Sequence, residues 1–537
     1  MDIKSPTTST PIISRVNSWN SETRWVLLLS IIFFTVTLVF SQIYPTYADA
    51  SRHLIRSQWI LNHGWFPYDE YAFDQAKYYV YPPGFHVLSA VSKSLIGTYH
   101  IIPAASGAVS VVLTYLLVSL WYDRSLGLAT AIVLAVNPFF ILWSSRLYVG
   151  TTITAGFLLT LTLYFKYIRH DKKGYLYLSF IIGGSLSAVK TYGPIVAGII
   201  LFHLFWTQRG QLSETLRRVS GPLAAGVFAS LPWPIRNFTL TGSPVPKATG
   251  NPALEAASST AGKDGIYVFI PKLEEFALFF VRALGVWPPR AVTEYLGYIH
   301  PILPTVWFIL PAIIILTMIY GLKKNSVNSI VYIWISVFIV IYLIQRVVSG
   351  GLTGFKYRHF VTITPIFCML FVLGYRKISA PPRWKKIAGI LLVTALLVQM
   401  GALAAFQTQK MQTTFEPGSD WIKENIQDDE VIYMPYFHEE LSHRVDDRYK
   451  FITTSGKKGY VSQSDNFTEV IQDRADWIIS YEEADELEKE KISNAVTANK
   501  IELVETIKIK ETIQISNFTV ETATFDRTWY IYKVTDD

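Results

Sequence analysis

Apolar residues along this chain fall in long blocks separated by short polar joints. The first block, "RWVLLLSIIFFTVTLVFSQIY", runs over residues 24–44 behind a polar lead of 23 residues. Further blocks stand at 101–121, 126–142, 150–168, 175–189, 193–206, 219–235, 301–321, 329–347, 359–375 and 387–407. Several approach the roughly 20 apolar residues that cross a bilayer as a helix. The pattern predicts a polytopic α-helical membrane protein with about eleven transmembrane helices. No small-residue cleavage site follows the first block, so it reads as a retained span rather than a cleavable signal. Four joints are rich in Lys and Arg: "KYIRHDKK" (166–173), "QRGQLSETLRR" (208–218), "GLKKN" (321–325) and "RKISAPPRWKK" (376–386). The positive-inside rule puts these on the cytoplasmic side. The first two then share a side only if 175–206 forms two short helices around an outward turn, "KTYGP" (190–194). Lys190 would face outward, and Pro194 would open the next helix at a tolerated position.

Composition divides the chain into two chemical halves. Residues 408–537 hold 15 Lys/Arg against 27 Asp/Glu, net −12, whereas the whole chain is +7. The positive charge therefore belongs to the membrane part and speaks for orientation in a lipid bilayer, not for nucleic acid. The expected organisation is a cytoplasmic tail (1–23), a membrane domain (24–407) and an extracytoplasmic acidic α/β domain (408–537). Outer loops would span 45–100 and 236–300. The expected location is the plasma membrane, with the N-terminus cytoplasmic. In the tail, "SDWIKENIQ" suggests a helix with Ser419 or Asp420 near its N-cap, and "EEADELEKEKISNAV" a second helix. "EVIYMPYF", "RYKFITT", "ADWIISY" and "TWYIYKV" read as strands. Three Asn-Phe-Thr sequons, at Asn237, Asn466 and Asn517, would all face outward. These sequons and the acidic tail fit an archaeal surface-glycosylation pathway in a salty exterior. The single cysteine, Cys368, sits in an apolar run and reads as a packing residue.

The candidate chemistry lies just after the first block, in "IYPTYADASRHLIRSQWI" (43–60). Residues 49–63 suit a short interfacial helix. Asp49 and His53 would share one face and Arg52 and Arg56 another, with Trp59 and Trp65 at headgroup level. Tyr81, Pro82 and Pro83 would give an extended lead into an amphipathic helix carrying His86. Four more cations map to the outer ends of other spans: Arg146, Lys190, Arg236 and Arg358. Charges beside apolar runs are costly unless paired or hydrated, and often mark a functional cavity. One carboxylate amid several cations suits a particular task. The cations would hold a lipid-linked phosphate, and the carboxylate would take a proton from an attacking hydroxyl.

The order of Asp49, "YPPGFHVLSAVSKSLIGTYHIIP", "SLSAVKTYGP", "PWPIRN" and "YRHFVTITP" resembles the GT-C superfamily of integral-membrane glycosyltransferases. The group most similar in pattern is that of the protein O-mannosyltransferases (dolichyl-phosphate-mannose-protein mannosyltransferases) and the lipid A aminoarabinose transferases. The resemblance covers residues 25–375. It implies the GT-C fold and inverting transfer of a sugar from a polyprenyl (dolichyl)-phosphate donor. The acceptor would be a glycan, protein or lipid on the outer face, and Asp49 the base. Where relatives often carry Asp-Glu, this chain has Asp49-Ala50. Where the aminoarabinose transferases place a phosphate-binding Lys before two prolines, it has Tyr81. Donor phosphate is therefore assigned to Arg52, Arg146, Lys190 and Arg358, and substrate contacts to His53, Tyr81, His86 and Arg236. Oligosaccharyltransferases of the same superfamily use acidic motifs around a divalent cation. Asp69, Glu70 and Asp74 in "YDEYAFD" are the corresponding metal candidates, though loop acids more often serve only solvation.

Plainer roles compete at each position. Asp49 would serve as an N-cap, Arg52 and Arg56 would snorkel to headgroups, Arg236 would anchor a membrane end, and His86 would be a surface histidine. At the level of the whole chain, a lipid-sugar flippase would show internal repeats and midplane charges. A non-catalytic polyprenyl-binding subunit would have lost the acid. Here no repeat is visible, the charges lie at span ends, and Asp49 is present.

Overall fold

The structure is a computed structural model. It describes residues 21–43, 49–63, 82–241, 313–320, 322, 329–337, 361–379, 381–414, 416–427, 430–433, 450–452, 476–481, 486–497, 501–515 and 518–534. The first part is helical: α1 (Ser21–Ile43), α2 (Asp49–His63), α3 (Gly84–Ile96), α4 (Ile101–Trp121), α5 (Arg124–Ala135), α6 (Pro138–Ser145), α7 (Gly150–His170), α8 (Lys173–Ser185), α9 (Ile195–Thr207), α10 (Leu212–Ser230) and α11 (Pro232–Thr241). Helical segments at 313–320 and 329–337 precede α12 (Thr364–Lys377) and α13 (Pro382–Thr414).

Among the described residues two helices, Ser21–Gln42 and Ile101–Trp121, are long and apolar enough to cross a membrane by themselves. The block expected at 126–142 as one span is instead a bent pair, α5 and α6, meeting at 62°. Asn137 and Pro138 cause the break. The Asn137 side chain accepts from the Phe140 backbone N–H at 3.0 Å, and Pro138, with no N–H to give, takes the first position of α6. At the other end of α5, Asp123 accepts from Leu126 N at 2.8 Å and pairs with Arg376 of α12.

α4 packs against α1, α5 and α7, and α8 packs against α7 and α10. A large apolar cluster fills the space between them. Seven buried hydroxyls are satisfied within their own helices. Thr37, Ser110, Thr130, Ser144, Thr154, Thr160 and Thr162 each donate to the carbonyl four residues earlier. That is the solution open to polar groups where no water reaches. Large side chains on the outside, such as Ile31, Phe202, Trp206, Phe228 and Leu391, stay exposed, as a lipid-facing surface allows. α8 and α10 touch backbone to backbone, since a Cβ on Gly184 would stand 2.0 Å from the Gly226 carbonyl oxygen.

The chain runs up and down. One end, the upper, gathers the starts of α4 and α7, the end of α6, the turn 186–194, the end of α10 and the short 3₁₀ segment 361–363. Thr151 Oγ1 bonds Pro103 O at 3.2 Å there, and Ser187 Oγ bonds Ser230 O at 3.0 Å. The lower end gathers 121–124, 170–173, 207–212 and 377–382, with the Asp123–Arg376 pair and most of the exposed basic residues.

Beyond α13 lie α14 (Glu416–Asn425), α15 (Glu486–Thr497) and five strands: β1 (Val431–Tyr433), β2 (Lys450–Ile452), β3 (Trp477–Tyr481), β4 (Ile501–Ile515) and β5 (Phe518–Val534). The sheet order is β2-β1-β3-β5-β4. β1 is parallel to β2 and β3, while β5 is antiparallel to β3 and β4. Ile478, Ile492, Ala495 and Ile501 form a small core of their own. α14 begins at Glu416, a turn earlier than read, so Ser419 and Asp420 lie inside it rather than at its cap. β4 was not expected at all.

Candidate active site

The site is built at the upper end, where α2 and α3 lie against each other. α3 is amphipathic. Phe85, His86, Ser89 and Ala90 are buried, while Leu88, Val91, Leu95 and Ile96 are exposed along the other face. Pro83 precedes it in a helical conformation (φ −83°, ψ −15°) rather than the extended one expected, and Gly97 ends it with φ 87°. Only glycine fits at position 84, because a Cβ there would stand 2.7 Å from the Ala188 carbonyl oxygen. This contact presses the first turn of α3 onto the turn that carries Lys190.

His53 of α2 and His86 of α3 are both buried, and His53 Nδ1 lies 2.7 Å from His86 Nε2. The His53 ring also meets Phe85 and Tyr148 edge-on, at 5.3 and 5.6 Å. Arg56, one turn further along α2, and Lys190 both act electrostatically on His86. Burial first, then these two positive charges, hold its imidazole well below the usual value. Burial, with Arg56 next, lowers Lys190 to about 8. The turn itself is closed by Lys190 N to Leu186 O (2.9 Å) and Gly193 N to Lys190 O (2.8 Å). Tyr192 lies close enough to Thr362 for the two to interact, which puts the turn beside the 361–363 segment, and burial raises Tyr192 to about 12.

Arg146 follows α6 and is buried. Its guanidinium stacks on Trp143 at 5.2 Å, and Trp143 packs on Tyr148 at 4.8 Å. An aromatic layer therefore links Arg146 to the histidine pair. His100 Nδ1 lies 3.2 Å from the Ser145 carbonyl oxygen beside it. Arg236 stacks on Trp233 at 4.7 Å in α11, which touches the 3₁₀ turn Leu186–Ala188.

Asp49 is the first residue of α2, one turn before His53, and Arg52 lies between them. The side chains of Asp49 and Arg52 lie outside the described residues, as do Tyr81, Arg358, Asp69, Glu70, Asp74, Asn466 and Asn517. Among the described residues no group of three or more His, Cys, Asp and Glu could hold a metal ion. The sequon at Asn237 does not serve as read. Asn237 is buried at 3% exposure inside α11, and a helical, buried amide is not offered to a glycosylating enzyme. Sequence reasoning did not see that His53 and His86 pair, nor that Trp143 and Tyr148 bridge to Arg146. Residues 33 apart in sequence carry no signal of contact until the helices are placed.

A family model, that of dolichyl-phosphate-mannose-protein mannosyltransferase, matches residues 82–233, which contain α3 to α10 and the Lys190 turn. ArnT from Cupriavidus metallidurans in the apo state is similar in structure. It has a TM-score of 0.59 and 12% identity, over 95% of this chain and 98% of that one. The chain shares the fold of ArnT. ArnT bound to undecaprenyl phosphate gives a TM-score of 0.57 at 11% identity over the same shares. The Archaeoglobus fulgidus oligosaccharyltransferase in complex with Zn and sulfate gives 0.50 at 14% identity, over 84% of this chain and 67% of that chain. No curated protein matches by sequence. Within this fold, the matched segment brings together His86, Arg146 and Lys190, and α2 supplies His53 and Arg56.

Proposed function

We propose that this chain is a polyprenyl-phosphate-dependent glycosyltransferase of the plasma membrane. It would move a hexose, of the mannose class, to a glycan, protein or lipid on the outer face. The observation that carries the reading is the cluster of Arg56, Lys190 and the histidine pair at the upper end, one turn from Asp49. The resemblance in fold to ArnT, which binds undecaprenyl phosphate, supports a lipid phosphate as the ligand of those cations.

In the reaction, Asp49 takes the proton of the acceptor hydroxyl. The hydroxyl oxygen forms a bond to the anomeric carbon. The bond from that carbon to the phosphate oxygen breaks, and its electron pair leaves on the lipid phosphate. Arg56, Lys190 and Arg146, with Arg52 and Arg358, hold the charge that develops there. One carboxylate suffices because no covalent sugar intermediate forms, unlike the paired carboxylates of most glycosidases. The upper end would face outward and the basic lower end the cytoplasm.

Mass spectrometry of surface glycans and polyprenyl-linked sugars tests this in cells lacking the protein, complemented with wild type or Asp49→Asn. The expected result is a glycan one sugar short and an accumulated lipid donor, corrected by wild type only. Removing a general base lowers turnover by about 10²–10⁴-fold. Full restoration by Asp49→Asn at normal protein levels would overturn the base assignment. A cell with unchanged glycans and lipid-linked sugars would overturn the transferase reading.

A further inference from the structure

Two histidines joined ring to ring inside a cationic pocket have a defined proton capacity. A neutral imidazole carries one N–H. In the bond between His53 Nδ1 and His86 Nε2, one ring donates its only proton and the other accepts. The accepting ring must carry its proton on its outer nitrogen. The donating ring then has an outer nitrogen with a lone pair. The pair can therefore gain one proton with its bridge intact, and a second only by breaking it. Such a pair titrates as a unit.

The surroundings decide when that proton comes. Among the described residues, the ionisable groups about the pair include Arg56 on α2, Lys190 on the turn against α3, and Tyr148, whose ring meets His53; Asp49 and Arg52 stand within one turn of His53 on the same helix. Arg146 stands one aromatic ring away on Trp143, with His100 beside it. The arginines and Lys190 are cations that repel a further positive charge. An anion seated among them offsets that repulsion.

We propose that the His53–His86 pair is a one-proton reservoir for the phosphate site. It is uncharged while the cations alone face it, and it takes up a proton when a phosphate monoester binds. The proposal rests on the phosphate-binding reading above and deepens it. The burial and repulsion that hold His86 below its usual value are the empty-site condition the proposal requires. The reservoir has a use in the reaction. The donor is a phosphodiester with one negative charge, and the leaving lipid phosphate is a monoester that carries nearly two at neutral pH. A proton gained by the histidine pair balances the added charge where it appears. Loss of that proton then loosens the product. His53 and His86 are positioning residues here, acting through the phosphate site rather than on the reacting carbon.

The test is calorimetric titration of undecaprenyl phosphate into the full chain in detergent, in buffers of differing ionisation enthalpy. Proton uptake is read from the buffer dependence of the heat. At about pH 7 Lys190 is already charged and contributes little, so the pair dominates. Wild type should take up between about half and one proton per lipid bound. His86→Gln should still bind the lipid but take up almost none, and His53→Asn should do the same and serves if His86→Gln does not fold. Proton release by the lipid phosphate itself is common to all three proteins and cancels in the difference. Equal proton exchange on binding in wild type and both variants would overturn the reservoir while leaving the lipid-phosphate reading intact. Absence of binding by wild type would overturn the phosphate-site reading, and the reservoir with it.

Discussion

Lys190 gathers several constraints into one side chain. It sits on a turn closed by its own N–H and carbonyl, pressed against α3 through Gly84, with Arg56 nearby. Burial and that neighbouring charge lower it to about 8. The sign follows directly. Lys190 is charged below that pH and neutral above it, so affinity for a lipid monophosphate falls as pH rises through about 8. Lys190→Gln should bind about 10–100-fold more weakly at pH 7 and lose this limb of the pH profile, as read by titration of undecaprenyl phosphate from acid to alkaline pH. Unchanged pH dependence in Lys190→Gln would assign the limb to another group. The residue types were legible in the sequence, since cations beside apolar runs are conspicuous. Their mutual placement was not. His53 and His86 read as substrate contacts and turn out to face each other, and Arg56 proves to be the cation that acts on both His86 and Lys190.

At the scale of elements, α8 and α10 hold the turn in place, and their crossing depends on Gly184 meeting Gly226. Gly184→Ala would drive a Cβ into a backbone oxygen that cannot rotate away. The expected cost is about 1–3 kcal/mol, seen as a lower melting temperature of the detergent-solubilised protein, with lipid-phosphate binding weakened because the 3₁₀ turn begins at Leu186. Gly198→Ala in α9 is the control. Nothing lies within 4 Å of its Cβ, so the same change should be neutral or stabilise by up to about 1 kcal/mol. Helix positions such as Ile101–Trp121 were readable because long apolar blocks leave few alternatives. The 62° break between α5 and α6 was not, although Asn137-Pro138 is a breaking signal that apolar length concealed. Strand β4 was missed for a different reason. Its pairing with β5 skips Val504 and Glu511, and each skipped residue interrupts the alternation by which a strand is recognised.

Across the whole molecule, the upper end carries the candidate site and the lower end the basic belt. The arrangement predicts opposite accessibility at two exposed positions. Cys368 is buried and is the chain's single cysteine, so a membrane-impermeant maleimide should report only a cysteine that is introduced. Thr191→Cys, in the Lys190 turn, should react in intact cells, and Lys172→Cys, in the α7–α8 joint, only after lysis. The reverse pattern would invert the orientation and separate the site from the face where surface glycans are built. The amphipathic α3 adds something about kinetics. Its inner face holds His86 while Leu88, Val91 and Leu95 look outward, so the site is bordered by a helix suited to float at the lipid surface. A donor anchored by its polyprenyl chain reaches such a site by sliding sideways. Its encounter rate is then governed by crowding in a plane rather than by molarity. Reconstituted vesicles should show turnover falling in proportion as inert phospholipid is added at fixed total donor and protein. A cell that expands its envelope would slow this reaction without losing a molecule of either partner.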